Sequence, residues 1–327
     1  IFNIPGGKKI SVGGGIAGLT VAYRLGNQNV LLLEKETQPG GRTLSMNMGR
    51  YVFNQGAQMI PGGETNVAKL ADELGVTRTL IDKTKTSTYM NGKFITGSSE
   101  FKFLLGLPIP FLEKLKMAFG IMRMRSRYSG IVDISPRSDD RVLQELSEKS
   151  FVERFNIRHP DVKAFWDSVS KSSSTLRAGE VAAFQPVNTF LHHAADEFFV
   201  EDGTVQLTKA LADQTKARVE TGASVTEVVS TDTGVAIQYE QNGTTHRVQA
   251  RKCVMAVPAP LALSVLRDLP ETKRAALEQC EYGAMSSAAF LVDKPSEHFF
   301  GKGNWRVPVV GMTTIGIGDP TFTFSDD

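Results

Sequence analysis

The chain has 327 residues, 41% of them hydrophobic, with 37 basic against 35 acidic side chains and a net charge of +2. That length suits two domains rather than one, and so balanced a charge excludes the basic field of a nucleic-acid binder. Cys253 and Cys280 are the only cysteines and form no C-x-x-C pair, so neither a disulfide framework nor a zinc site is indicated, and two reduced, buried thiols are expected.

No run reaches the roughly 18 apolar residues of a membrane-spanning helix. No internal repeat or low-complexity tract interrupts the chain. The start at Ile1 rather than Met leaves room for an upstream leader. The expected compartment is the cytoplasm.

The first informative stretch is KKISVGGGIAGLTVAYRLGNQNVLLLEK. Ile10 to Val12 is a short β-prone run that ends in Gly13. Gly13, Gly15 and Gly18 keep the G-x-G-x-x-G spacing. Leu19, Val21, Ala22 and Leu25 then recur as on a helix lying against a sheet. The polar break from Gly26 to Asn29 ends that helix. Val30 to Leu33 is apolar throughout, as a strand buried on both faces of a parallel sheet would be, and Glu34 follows it.

This order of strand, turn, helix, strand and acid predicts a Rossmann-like βαβ unit that binds a dinucleotide. Each residue type answers a need. Gly13 tolerates a tight turn, Gly15 leaves room for a pyrophosphate, and Gly18 lets helix and strand pack closely. Ile16 and Ala17 open the helix, whose free N–H groups and dipole favour phosphate. Glu34, beside Lys35, can accept hydrogen bonds from ribose hydroxyls and would repel a 2′-phosphate, which disfavours NADP.

Five residues after Glu34 come Gly40, Gly41, Arg42 and Thr43. This E-x5-G-G-R-T run resembles the second signature of the flavin amine oxidase superfamily, which holds amine oxidases, protoporphyrinogen oxidases and phytoene-type desaturases. The segment GRYVFNQGAQMI (49–60) resembles that family's G-x-x-x-D-x-G-A stretch, with Asn54 where Asp is usual. The resemblance implies FAD as cofactor, with both glycine clusters along its pyrophosphate and Gly56, Ala57 and Gln58 beside the flavin ring.

Further on, residues 64–75 have helical spacing and end in Gly75. Asn91-Gly92 between strand-like runs over 86–96 signals a hairpin. Residues 100–195 read as mostly helical, with Pro110, Pro136 and Pro160 in short loops. Asp139-Asp140 reads as a helix N-cap region, and His192-His193 as an exposed loop pair, since no third ligand is near in sequence. No other stretch has metal-ligand spacing. Phe101 to Arg127 joins an apolar run to a basic end. It suits either a core-facing helix with a solvated edge or a surface helix near an apolar entrance in peripheral contact with membrane.

From Glu197 the pattern changes. A helix over 204–215 leads to a strand over 218–220, two β-rich runs around Asp232-Thr233-Gly234, a turn at Asn242-Gly243 and a strand KCVMAV. By resemblance, the backbone at Val225 contacts adenine and the segment from Ala256 to Pro258 closes over the cofactor. A helix over 270–281 and strand-like runs SSAAFLV (286–292) and VPVVGMTTI (307–315) follow.

The expected fold is α/β, α+β overall. Residues 1–95 and 197–265 form the Rossmann-like FAD-binding domain. Residues 96–196 and 266–327 form a mixed helical and β substrate-binding or cap domain. That second domain is expected to be incomplete, because the family's final Gly-rich helix start has no match before Asp327. The lysine that many amine oxidases carry near the flavin has no match in SSAAFLV, which leans the reading toward hydride removal from a largely apolar small-molecule substrate. Two alternatives stay open: an amine or amino-acid oxidase that yields peroxide and ammonia, and a non-redox flavoprotein isomerase or mutase. The sequence names no catalytic residue and no oligomeric state.

Overall fold

The computed structural model describes residues 7–26, 29–49, 51–63, 65–81, 86–128, 140–192, 196–290, 306–308, 310 and 316–318. The N-terminal elements are β1 (Lys9–Val12), α1 (Ile16–Leu25), β2 (Val30–Leu33), β3 (Ser45–Met48), β4 (Tyr51–Asn54), β5 (Ile60–Pro61) and α2 (Asn66–Leu74). Next come β6 (Arg78–Leu80), β7 (Thr86–Met90), β8 (Lys93–Gly97), α3 (Glu100–Gly106), α4 (Phe111–Tyr128), α5 (Asp140–Ser147), α6 (Phe151–Arg154), α7 (Pro160–Ser174) and α8 (Phe184–His192). The chain continues with β9 (Glu197–Val200), α9 (Val205–Gln214), β10 (Arg218–Glu220), β11 (Ser224–Thr231), β12 (Gly234–Gln241), β13 (Thr244–Ala250), β14 (Lys252–Met255), α10 (Ala259–Val265), α11 (Glu271–Glu278), β15 (Arg306–Pro308) and β16 (Gly316–Gly318).

Two compact units divide these elements. The first holds Ile1–Met59, Lys69–Arg78 and Val200–Tyr282; the second holds Ile60–Ala68, Thr79–Phe199 and Gly283–Asp327.

The first unit is built on a parallel sheet in the order β10-β2-β1-β14. All four residues of β2 are buried, and its two faces explain why. Val30 and Leu32 pack with Leu19 and Ala22 of α1 and Leu211 of α9. Leu31 and Leu33 pack with Val228, Ile237 and Val248 of the antiparallel sheet β11-β12-β13. A polar residue on either face would lose about 1.5–3 kcal/mol of apolar burial. The unbroken apolar run in the sequence therefore reports two covered faces.

The second unit is mainly helical. Its core joins α3 to α8 around Trp166, whose ring centroid lies 4.6 Å from that of Phe151. Ser150 and Glu153 form a reciprocal capping box that starts α6. The β7–β8 hairpin turns at Asn91 (φ 50°) and Gly92 (φ 76°), the left-handed pair that a two-residue hairpin of this hand requires. Among the described residues no helix is long and apolar enough to cross a membrane.

Several expectations differ from these elements. Ile60–Ala68, the described residues of 79–95 and 197–199 group with the second unit, in which the β7–β8 hairpin packs on α3 and a Cβ on Gly97 would meet the Phe103 backbone nitrogen at 2.4 Å. Residues 266–282 lie in the first unit. Arg267 pairs with Glu227 of β11 at 3.2 Å, and the Ser230 N–H donates to the Asp268 carboxylate at 3.2 Å. Residues 286–290 form no strand, and 291–292 lie outside the described residues. The expected helix over 270–281 is shorter, Glu271–Glu278, and α10 precedes it unannounced. Cys280 is exposed and Cys253 half-buried, where both were expected to be buried. Pro136, Asp139 and His193 lie outside the described residues.

Candidate functional site

β1 delivers the chain to Gly13, whose φ of 101° lets it turn sharply into α1 while its N–H donates to the Leu33 carbonyl at 2.9 Å. A Cβ on Gly13 would meet the Ala256 carbonyl oxygen at 2.6 Å and Val257 at 2.9 Å. A Cβ on Gly18 would sit 1.9 Å from the Gly13 carbonyl oxygen. Both glycines are thus demanded by the protein's own packing.

Gly15 is not. Its φ of −73° and ψ of 178° suit any residue, and a Cβ there would meet nothing within 4 Å. Open space at a glycine with no internal reason to be one is what close approach by an outside group requires. Gly15 is also the N-cap of α1 yet offers no side-chain cap, and the first turn carries no acid. The helix dipole and its N–H groups are left for an external anion. Ile16 is half-buried and Ala17 exposed at this opening.

The second glycine cluster closes on the first. The Gly40 N–H donates to the Gly14 carbonyl at 2.9 Å, and Gly15 and Gly40 form a parallel bridge. Gly40 (φ 144°) and Gly41 (φ 56°) both need the left-handed backbone region. Thr43 is buried, and its hydroxyl donates to the Gly40 carbonyl at 2.8 Å. Arg42 is exposed, and its carbonyl accepts the Ala57 N–H at 2.9 Å. A Cβ on Gly56 would meet that same Arg42 oxygen at 2.1 Å, so Gly56 and Arg42 are pressed together.

Glu34 is 7% exposed. One carboxylate oxygen accepts the Gly14 N–H, and the other accepts the Glu36 N–H at 2.8 Å. Gly14, absent from the residues singled out in the sequence, touches Glu34 so closely that a Cβ would lie 2.9 Å from its side chain. The run Gly13-Gly14-Gly15 was the available signal. Lys35 is exposed and pairs with Glu36 at 3.2 Å.

Asn54 sits below this region at the end of β4. Its Oδ1 accepts the Thr204 N–H at 2.9 Å and the Ser45 hydroxyl at 2.6 Å, and lies 3.2 Å from the Thr204 hydroxyl. Its Nδ2 donates to the Gln58 carbonyl at 3.3 Å, while the Gln58 amide donates to the Asn54 carbonyl at 2.7 Å. Thr204 in turn donates to the Ala57 carbonyl at 2.9 Å, and Thr208 lies 3.2 Å from Thr43. Asn54 keeps the acceptor that Asp would supply and adds a donor. Thr204 and Thr208 carry no motif, and no signal in the sequence marks them.

Val225, half-buried on β11, packs into the cluster of Ile10 and Leu33. It follows Ala223, whose N–H donates to the Glu34 carbonyl at 2.8 Å. Pro258 caps α10 just after Ala256, whose N–H donates to Val12 at 2.8 Å. All the residues expected to bind the cofactor therefore belong to the first unit. Gly13, Gly15, Gly40, Gly41 and Glu34 meet at one end of β1 and β2, Ala57 and Thr43 adjoin them, and Val225 and Pro258 reach them through their neighbours.

Burial alone pushes the Cys253 thiol on β14 up to about 11. That side chain packs against the cluster of Ile10 and Leu33.

Comparison with known proteins agrees with this geometry. The family model described as flavin containing amine oxidoreductase matches residues 16–316. A probable flavin-containing monoamine oxidase A of Dictyostelium discoideum is 22% identical over 339 residues, covering 97% of this chain and 70% of that protein. A putrescine oxidase redesigned in its cofactor binding superposes with a TM-score of 0.68 at 20% identity, over 85% of this chain. A fatty acid isomerase from P. acnes superposes with a TM-score of 0.63 at 15% identity, over 84% of this chain. The chain spans 64% of the length of each of these two solved structures.

The matching family implies a flavin, typically FAD, and the residues present fit that group. Gly15 leaves space for a pyrophosphate, α1 is uncapped toward it, and Glu34 is buried with carboxylate oxygens able to accept further hydrogen bonds. With the match covering most of its residues and the two glycine turns joined as described, this chain belongs to the flavin-containing amine oxidoreductase family.

Proposed function

We propose that this chain carries the cofactor cradle of an FAD-dependent oxidoreductase that removes a hydride from a small organic substrate. The observation that carries this reading is the open, uncapped α1 N-terminus at Gly15, met by the second glycine turn at Gly40 and Gly41. Bound flavin supplies the hydride acceptor. The chain's own residues do the rest of the binding. The N–H groups of Ile16 and Ala17 would face the pyrophosphate, Glu34 would accept ribose hydroxyls, and Gly41 to Thr43 would line the path toward the ring. Asn54 and Thr204 would hold the Gly56–Gln58 turn in place.

Two substrate classes have support. A largely apolar carbon skeleton is favoured by the absence of a lysine between Ser286 and Val292. An amine is favoured as much by the relatives, a probable monoamine oxidase and a putrescine oxidase. The fatty acid isomerase among the similar structures supports a third outcome without net oxidation.

Anaerobic mixing of the full-length, flavin-loaded protein with panels of amines and apolar compounds tests the reading. Bleaching of the flavin absorbance by one panel is expected, with ammonia released only if that panel is the amines. Product of unchanged mass, without net bleaching, would replace hydride removal by isomerisation. No response to any panel would count against hydride transfer.

A further inference from the structure

Large apolar side chains left in water are concentrated on one helix. Of the fifteen most exposed among the described residues, seven fall between Phe101 and Met122. Single exposed apolar residues are ordinary, but a contiguous set marks a contact surface.

The set on α4 is ordered. Phe111, Leu112, Leu115, Phe119 and Met122 are 66%, 61%, 51%, 63% and 62% exposed. At the helical rotation of about 100° per residue they share an arc of roughly 100°. Met117, Met124 and Tyr128 are buried in the helical core and lie on the opposite side of the same helix. The face that would normally be polar is therefore apolar.

Its margins are basic. Lys116, Arg123 and Arg127 follow one edge of the arc, and Lys114 and Arg125 precede the other. Glu113 is the only acid on the helix. Lys116 pairs with Glu113 at 2.6 Å and Arg127 with Glu145 at 2.7 Å, while Arg125 is bound to Glu100 of α3. Such exposed pairs hold weakly and leave the cations able to reach other anions. Among the described residues Arg123 has no ion-pair partner. The Glu100–Arg125 pair joins α3 to α4, and α3 exposes Phe101 and Leu105, four residues apart.

An apolar stripe between rows of long cations is the pattern of a helix that lies in a lipid interface, with apolar side chains in the acyl boundary and cations at the headgroups. A second copy of the chain fits less well, because symmetric pairing would bring two sets of basic margins together. We propose that this face of α4 is a peripheral docking surface for an anionic lipid bilayer.

The test is co-sedimentation of the full-length protein with vesicles of mixed phosphatidylcholine and phosphatidylserine at low salt. Binding to mixed vesicles, weaker binding to phosphatidylcholine alone and loss on raising salt are expected. The double variant Leu115→Ser/Phe119→Ser should partition about tenfold or more less well, because two buried apolar groups are lost. Lys116→Glu/Arg123→Glu should lose about tenfold or more on mixed vesicles through its charges alone. These positions are exposed, so thermal melts should match wild type, and the charge variant stands in if the apolar one does not fold. Failure of the wild type to sediment with mixed vesicles would overturn the proposal. So would unchanged binding by both variants. A dimer in solution that Leu115→Ser/Phe119→Ser converts to monomer would assign the face to a second copy instead.

Discussion

A Cβ on Gly41 would lie 3.2 Å from the Cα of Gly15, so the two glycine-rich turns, separated by a helix and a strand in sequence, touch backbone to backbone. Neither turn is an independent surface loop. Together they form one floor of bare backbone at the uncapped end of α1.

Gly15→Val separates binding from folding. Its Cβ meets nothing within 4 Å and its φ is ordinary, so apo stability should change by no more than about 1 kcal/mol, the scale of an N-cap change. The side chain would fill the space a pyrophosphate needs. Flavin content in the purified variant should fall to background while the apo thermal melt is kept; a normal flavin content would remove Gly15 from the site.

Gly18→Ala should behave in the opposite way. A Cβ 1.9 Å from the Gly13 carbonyl oxygen cannot be accommodated without moving α1 off the sheet. Overpacking of this kind costs about 1–3 kcal/mol, and more against rigid backbone. Chemical denaturation of the apo protein should show the loss directly, and a midpoint equal to wild type would mean that α1 is held more loosely than described.

Most of the first unit was legible in its sequence because local needs and global packing coincide there. The apolar run Val30 to Leu33, set between a polar break and Glu34, reads as a doubly covered strand, and Gly13 and Gly18, set between a strand and a helix, read as a tight turn under that helix. Thr204 and Thr208 were not legible, since their partners Asn54, Ala57 and Thr43 lie about 150 residues away and a threonine announces no pairing. The run Ser286 to Phe290 reads as a strand by β-propensity, yet among the described residues it forms no strand, because propensity alone does not make a sheet.

Glu34→Ala should weaken FAD binding by about 1–3 kcal/mol, the scale for leaving buried polar partners unmet. The Gly14 and Glu36 N–H groups also lose their acceptor, so the apo protein should melt earlier as well. Glu34→Gln keeps one acceptor oxygen and should recover part of both losses. Flavin titration and melts of the two variants check this, and an unchanged dissociation constant in Glu34→Ala would mean that the carboxylate does not reach the ribose.

Asn54→Ala should destabilise the protein by about 2–3 kcal/mol, because the Thr204 N–H and the Ser45 hydroxyl are left buried without their acceptor. Asn54→Asp should cost less than Asn54→Ala, since it keeps the acceptor and gives up the 3.3 Å donation to the Gln58 carbonyl, which a carboxylate oxygen would then oppose. Urea midpoints of the pair should fall in that order, and equal losses would contradict the acceptor role.

Cys253 gives a pH signature. Its thiol is pushed from 9.0 up to about 11 by burial, so the folded state holds the proton more tightly than the unfolded one. The associated stability is complete below pH 9 and is lost as pH rises through about 11. Cys280, being exposed, should react with a thiol reagent at pH 8 faster than Cys253, which is half-buried and whose thiol is harder to ionise. Equal reaction rates for the two thiols would contradict the burial of Cys253.

The central claim, that the paired glycine turns form an FAD cradle, is tested most directly by the visible absorption spectrum of the purified full-length protein, with mass analysis of what heat releases. Flavin bands and a released mass of FAD are the predicted result. A colourless full-length protein that also fails to take up added FAD would contradict the claim.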